Sequence, residues 1–174
     1  MPLRRTVFWI LLGATLLVYG AIVLWSLPQI SSAAGGLTPF GLRPAGYNLV
    51  EAKAFLTALG TEGRAFYLGP QHGLDTAYPA LLAATLIWAT LWGFGDLPGA
   101  ARVLLVLPAL AGTGFDYHEN VRVAGLLREE APTAAMVGAA SFATVAKSVA
   151  TTVAMIIVLV GLGLRLRSYR RAGR

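Results

Sequence analysis

Four long runs of apolar residues dominate the chain, and they predict four membrane-spanning helices. The runs cover about residues 7–27, 74–95, 102–125 and 133–164. Each has at least the ~20 residues that a helix needs to cross about 30 Å of hydrocarbon, at about 1.5 Å per residue. We therefore predict an all-α membrane protein, with residues 1–174 forming one four-transmembrane-helix bundle.

The segment between the first two runs, residues 28–73, is predicted to lie outside the membrane. Its first part is rich in Gly, Pro and Ser, as expected of a loop. Residues 47–60 then combine a capping pair, Asn48 with Glu51, with apolar residues at helical spacing and Gly60 at the end. This pattern predicts a short extracytoplasmic amphipathic helix that lies along the membrane surface or covers the bundle.

Basic residues flank the apolar runs and predict the orientation. Arginines precede the first run and follow the last: Arg4, Arg5, Arg165, Arg167, Arg170, Arg171 and Arg174. Since basic residues stay inside, we expect a multi-pass protein of the bacterial cytoplasmic (inner) membrane with both termini cytoplasmic. The formal net charge of +6 does not indicate nucleic-acid binding, because nucleic-acid-binding domains gather basic residues on one folded face.

The first run has an alternative interpretation as a secretory signal, because it follows MPLRR and precedes the small residues SSAAGG. The apolar part of such signals has about 7–15 residues, and this run is longer. We therefore expect a retained membrane anchor.

Ionisable residues interrupt the apolar runs at matching heights. Measured from the cytoplasmic end of its own helix at about 1.5 Å per residue, Asp116 lies about 21 Å up, Glu119 about 26 Å and Lys147 about 27 Å. Asp75 begins the second span at the same end. A charge facing lipid costs several kcal/mol, so such groups turn inward. We therefore predict that these four side chains meet in one buried polar site near the outer surface.

Two stretches resemble a pattern of small four-span bacterial membrane proteins. They are LGTEGRAFYLGPQHGLDTAYP, with Leu-Gly, Gly-Arg, Tyr, Asp and Tyr-Pro, and LPALAGTGFDYHEN, with Phe-Asp-Tyr-x-Glu-Asn. The match covers about residues 47–130. The resemblance implies an architecture and a candidate site but no reaction. The implied site residues are Arg64, Tyr67, Asp75, Pro79, Asp116, Tyr117, Glu119 and Asn120.

The predicted architecture also resembles, more loosely, that of the sterol-isomerase and sigma-2-receptor group. Those proteins are small helical bundles with carboxylates in a lipid-accessible pocket, although no motif aligns. Independently of this likeness, aromatic residues of the second, third and fourth spans are expected to form the walls of the buried polar site. They are Tyr78, Trp88, Phe115, Tyr117 and Phe142.

Asp116 and Glu119 are the candidate catalytic acid and base, because they lie one helical turn apart. Neighbouring buried carboxylates share protons unequally, so that one can donate while the other accepts. The alternative is that Arg64, Arg122 or Lys147 neutralises them and that the cluster only holds the bundle together. Asp75 has a further alternative role as the N-cap of the second span.

The remaining polar residues of this region are candidate ligand-binding groups. They are Asp75, Arg64, Tyr67, His72, Tyr117, His118, Asn120 and Lys147. Helical spacing turns His118 away from Asp116, whereas His72 stands in the predicted loop and can reach the site. The chain has no cysteine, and its His, Asp and Glu spacing matches no metal-site pattern, so we predict no metal site and assign no cofactor.

Three functions fit these observations. The favoured one is an outer-leaflet pocket that binds, and in one version transforms, a small lipophilic molecule reached from membrane lipid. The second is an accessory or assembly subunit of a larger membrane complex, with the charge cluster as structural glue. Proton or cation transport is third, because residues 103–115 and 148–164 carry no ionisable group to continue a path inward.

Overall fold

The computed structural model describes residues 2–172 and contains six α-helices. They are α1 (Pro2–Ala21), α2 (Leu27–Ala33), α3 (Leu49–Phe66), α4 (His72–Gly93), α5 (Gly99–Arg128) and α6 (Ala134–Ala172). Two π-helical segments join them: Ile22–Ser26 connects α1 to α2, and Tyr67–Gln71 connects α3 to α4. A 3-10 turn covers Phe40–Leu42. Arg174, one of the flanking arginines, lies outside the described residues.

Four continuous helical stretches are long and apolar enough to cross a membrane, which confirms the prediction of an all-α protein with four such helices. They are Arg5–Ala33, Leu49–Gly93, Gly99–Arg128 and Ala134–Ser168. The first extends beyond the predicted end at residue 27 because the π-helical segment Ile22–Ser26 runs directly into α2, which contains Pro28. A π-helical turn accommodates the N–H that proline lacks without ending the helix.

The predicted helix of residues 47–60 begins as its capping pattern indicates. The Asn48 side chain accepts a hydrogen bond from the Glu51 N–H at 3.0 Å, and the Glu51 carboxylate accepts one from the Asn48 N–H at 2.8 Å. At Gly60 the backbone turns to φ 63°. Glycine tolerates this conformation because it has no Cβ to clash.

The helix does not end at Gly60, however, and the loop predicted between Gly60 and the second span is wrong. After the kink α3 continues to Phe66 and passes through the π-helical segment into α4. Pro70 stands inside that segment and has no N–H to donate to Phe66. A π-helical turn accommodates the interruption without ending the helix.

The largest apolar core lies where the α2–α3 connection packs onto α3, α5 and α6. Phe40 is fully buried, and its ring lies 4.8 Å from Phe55 and 4.7 Å from Tyr47 between centroids. The Arg43 guanidinium lies 5.7 Å from the centre of the Phe40 ring. This aromatic group anchors the 3-10 turn and so places Gly41 beside the polar site.

Candidate functional site

Lys147 of α6 is the centre of the polar cluster. Its Nζ lies 3.1 Å from Asp116 Oδ1 and forms a second ion pair with Glu119 Oε2, both carboxylates being on α5. The side chains of Lys147 and Asp116 are 19% and 15% exposed, and that of Glu119 only 3%. The predicted meeting of these three residues is confirmed. A charged group this deep requires a partner, because desolvation alone would cost several kcal/mol.

Thr144, one helical turn before Lys147, completes the environment of Glu119. Its hydroxyl donates a hydrogen bond of 2.5 Å to Glu119 Oε1, while Oε2 faces the lysine. Both carboxylate oxygens therefore have partners, which explains how a residue that is 2% exposed remains in the core of a bundle.

Tyr47, in the connection before α3, reaches the same cluster from above. Burial raises the pKa of the Tyr47 phenol to about 12, and the nearby Glu119 carboxylate adds to the shift. Thr144 lies beside the hydroxyl, yet the phenol oxygen makes no hydrogen bond of good geometry to any residue between 2 and 172. Tyr47 therefore stays protonated at physiological pH and presents a free donor toward the cluster.

Asp75 of α4 belongs to the same site but is not an N-cap, and that alternative is wrong. The helix already runs through the preceding turn, so no free N–H groups await a cap. Asp75 Oδ1 instead accepts a hydrogen bond of 2.7 Å from Gln71 Nε2. Within the described chain Asp75 makes no ion pair, although it interacts electrostatically with Lys147 and both α5 carboxylates.

Asn120 of α5 replaces a backbone hydrogen bond that α4 lacks because of Pro79. Proline has no N–H, so the Asp75 carbonyl, four residues earlier, lacks its helical partner. Asn120 Nδ2 donates to this carbonyl at 2.7 Å. The Tyr117 hydroxyl donates to the neighbouring Thr76 carbonyl at 3.0 Å. Tyr117 and Asn120, predicted as ligand-binding residues, thus attach α5 to the proline turn of α4.

Replacing Asn120 by alanine should lower the free energy of unfolding by about 1–3 kcal/mol, because the Asp75 carbonyl would lose its donor inside the bundle. Thermal unfolding in detergent, followed by circular dichroism, measures the change. His118→Ala is the matched control on the exposed side of α5 and should shift stability by less than about 0.5 kcal/mol. Equal losses in both variants would contradict the role given to Asn120.

A cavity of about 180 Å³ adjoins the cluster. Its polar lining includes Asp75, Asp116, Glu119 and Lys147, and its apolar lining comes largely from α5 and from the π-helical segment after α1. Tyr19 of α1 also lines it and is 48% exposed, so the cavity reaches the outer surface of the bundle beside that residue. The Tyr19 ring stacks on Tyr78 of α4 with centroids 5.7 Å apart.

Both π-helical segments contribute to the walls of this cavity. Ile22 and Val23 come from the segment after α1, and Tyr67 and Gln71 come from the segment before α4. Such segments occur frequently at functional sites because the extra residue redirects side chains from a regular helical face. The apolar sequence around Val23 carries no signal for this irregularity, so the contribution of α1 cannot be predicted from it.

Several predicted site residues lie elsewhere. Arg64 donates to the backbone carbonyls of Leu56, Leu127 and Glu129 and so caps the end of α5. Its hydrogen bonds go to these carbonyls instead of to the carboxylates of the cluster. His118 is exposed and accepts a hydrogen bond from Arg122 at 3.3 Å. The carboxylates therefore receive their cation from Lys147 and not from Arg64 or Arg122.

Other predictions about the lining are mixed. Tyr67 and His72 line the cavity as expected, although His72 begins α4 instead of standing in a loop. Of the expected aromatic walls Tyr78 lines the cavity, whereas Trp88, Phe115, Tyr117 and Phe142 do not. Between residues 2 and 172 no group of three or more His, Cys, Asp or Glu side chains is arranged to hold a metal ion.

Comparison with known proteins gave no match among protein-family models, curated proteins or solved structures. The function must therefore be inferred from the cavity and its charges.

Proposed function

We propose that this protein is a multi-pass membrane protein whose cavity binds a small lipophilic molecule that enters from the lipid. The observation that carries the proposal is the cavity itself, apolar along α5 and the π-helical segment after α1 and polar where Asp75, Asp116 and Glu119 converge. Ligand sites characteristically combine an apolar wall with a few converging polar groups. A bundle held together only by ion pairs needs no such space.

The size of the cavity limits the ligand. At about 180 Å³ it slightly exceeds an engineered cavity of about 150 Å³ that holds one benzene molecule in another protein. A single ring or the end of one acyl chain fits this space, whereas a fused-ring sterol must extend beyond it. We therefore place the polar end of the ligand at the carboxylates and its apolar remainder beside Tyr19 and Val23, toward the surrounding lipid.

Binding suits the cluster better than catalysis by the two α5 carboxylates. Asp116 and Glu119 both form ion pairs with Lys147, and Glu119 also accepts a hydrogen bond from Thr144, so both carboxylates already have partners within the bundle. A general base must reach the proton that it removes. If the bound molecule is transformed, Asp75 is the better candidate base, because it forms no ion pair among the described residues.

A bulky residue in the cavity wall tests the proposal. We expect Val23→Trp to fill the space and to remove any small molecule that copurifies with the wild-type protein, as measured by mass spectrometry of gently extracted samples. Leu24→Trp is the matched control, since Leu24 is adjacent but 82% exposed on the outer face. Both variants should retain the wild-type circular dichroism spectrum.

The two variants separate the outcomes. Loss of the copurified molecule in Val23→Trp alone supports the pocket. A wild-type sample without any bound molecule, even after incubation with lipid extract, contradicts the proposal, as does equal retention in both tryptophan variants.

A role as an accessory subunit of a larger membrane complex is the second candidate. It is favoured by the Lys147 ion pairs, which join α5 to α6 as structural glue would. It predicts that a defined partner copurifies and that Val23→Trp has no effect on bound small molecules. Transport of protons or cations has less support, because residues 103–115 and 148–164 offer no ionisable group.

We further propose a bacterial cytoplasmic membrane location with both termini in the cytoplasm and with the amphipathic first half of α3 on the extracytoplasmic side. The flanking arginines support this orientation. The resemblance to small four-span bacterial proteins supports the same proposal, since its Asp, Tyr-Pro and Asp-Tyr-x-Glu-Asn elements are the residues that pair around Pro79 and Lys147.

A further inference from the structure

The charges that line the cavity do not balance. Asp75, Asp116 and Glu119 provide three carboxylates, and Lys147 provides one ammonium group, which leaves a formal excess of two negative charges. Lys147 is already engaged with Asp116 and Glu119. Asp75 is therefore the cavity-lining carboxylate that forms no ion pair within the described part of the chain.

Nearby arginines are committed to other contacts. Arg43 donates to the Thr38 carbonyl at 2.6 and 2.9 Å, and Arg64 donates to backbone carbonyls at the end of α5. Neither can neutralise Asp75 without giving up these hydrogen bonds. Among residues 2–172 no arginine therefore pairs with Asp75, and a cationic ligand can supply the positive charge.

Gln71 provides a second and independent indication of a missing donor. Its Nε2 must face Asp75 Oδ1, because an ionised carboxylate only accepts hydrogen bonds. This orientation leaves Gln71 Oε1 as a buried acceptor without a partner between residues 2 and 172. Gln71 is 2% exposed and lines the cavity. A buried acceptor without a donor is costly, so the site is complementary to a ligand that supplies one.

We infer that the cavity is selective for lipophilic amines, with the ammonium group of the ligand donating to Asp75 and to Gln71 Oε1 and the hydrocarbon tail lying beside Tyr19 and Val23. An ammonium group has three N–H donors and no acceptor, which matches the Asp75 carboxylate and the unpartnered Gln71 Oε1. A fatty acid would add a further negative charge, and an alcohol would supply one donor without charge. This inference rests on the proposed function.

Three probes with the same tail test the selectivity: dodecylamine, dodecanol and dodecanoate. Their binding to the purified full-length protein in detergent is measured by scintillation proximity with radiolabelled compounds. We expect dodecylamine to bind about tenfold or more tighter than dodecanol, the effect of one charged hydrogen bond, and dodecanoate to bind most weakly. Comparable affinities for the amine and the alcohol in the wild-type protein overturn the inference.

Asp75→Asn identifies the recognition group. Asparagine can still accept from Gln71 but carries no charge, so dodecylamine should lose about tenfold in affinity while dodecanol binding stays unchanged. Asp96→Asn is the matched control, because Asp96 is 87% exposed beyond the opposite end of α4. Gln71→Leu should also weaken dodecylamine binding, and it guards against a folding defect specific to Asp75→Asn. Unchanged amine affinity in both site variants overturns the assignment.

The Val23→Trp variant distinguishes failure of this inference from failure of the proposed function. If all three probes bind equally and Val23→Trp abolishes their binding, the result supports the cavity and contradicts the amine selectivity. If Val23→Trp leaves probe binding intact, the cavity is not the binding site of the probes, and both proposals then fail.

Discussion

Lys147→Met is expected to lower the free energy of unfolding by about 3–5 kcal/mol, because it leaves Asp116 and Glu119 as unpaired charges inside the bundle. Methionine replaces most of the apolar stem of lysine without the charge, so the loss of packing is small. Thermal or denaturant unfolding in detergent measures the effect. The loss of stability should exceed that caused by removing the Asn120 side chain.

Two further variants separate the charge effect from a general effect of losing a lysine. Lys53→Met changes an exposed lysine of α3 and should leave stability within about 0.5 kcal/mol of wild type. Adding Glu119→Gln to Lys147→Met removes one of the orphaned charges and should restore part of the lost stability. A double variant that is less stable than Lys147→Met would refute the central role of the charge pairing.

Gly93→Val is expected to lower the free energy of unfolding by about 1–3 kcal/mol through overpacking between α4 and α6. A Cβ on Gly93 would lie 3.0 Å from the backbone carbon atoms of Gly161. Backbone cannot move aside as a flexible side chain can, so the two helices must separate. Unfolding in detergent again provides the measurement.

Gly163→Val is the control for this substitution, because a Cβ at Gly163 meets nothing within 4 Å. Both changes replace a helical glycine by the same residue, so differences in helix propensity largely cancel. Gly163→Val should therefore be close to neutral. Similar destabilisation by both variants would show that the close α4–α6 contact at Gly93 is not what makes Gly93→Val destabilising.

The heights of the charged residues can be read from the chain, since a helix rises by a fixed amount per residue and lipid penalises exposed charge. Counting along the spans is enough to bring Asp116, Glu119 and Lys147 together. The capping pair Asn48 and Glu51 is equally readable, because both partners lie within one turn. These features depend only on local geometry.

The partners of Arg64 and Asp75 cannot be read in this way. The sequence suggests that Arg64 faces carboxylates, but the kink at Gly60 turns it toward the carbonyl groups at the end of α5. Asp75 is open to interpretation as an N-cap because the helical turn before it contains Pro70 and resembles a loop. In both cases the glycine or the proline suggests that a helix ends. In the structure the helix bends at that point and continues.

The sequence by itself determined the number of helices long and apolar enough to cross a membrane and the matching heights of Asp116, Glu119 and Lys147, because hydrophobic length and helical rise are properties of a single segment. Only the tertiary structure decided that α1 and its π-helical segment help to enclose a cavity, and that Gln71 faces this cavity with an unused acceptor. A cavity is the space left between segments distant along the chain, and its walls depend on how irregular helices pack against one another.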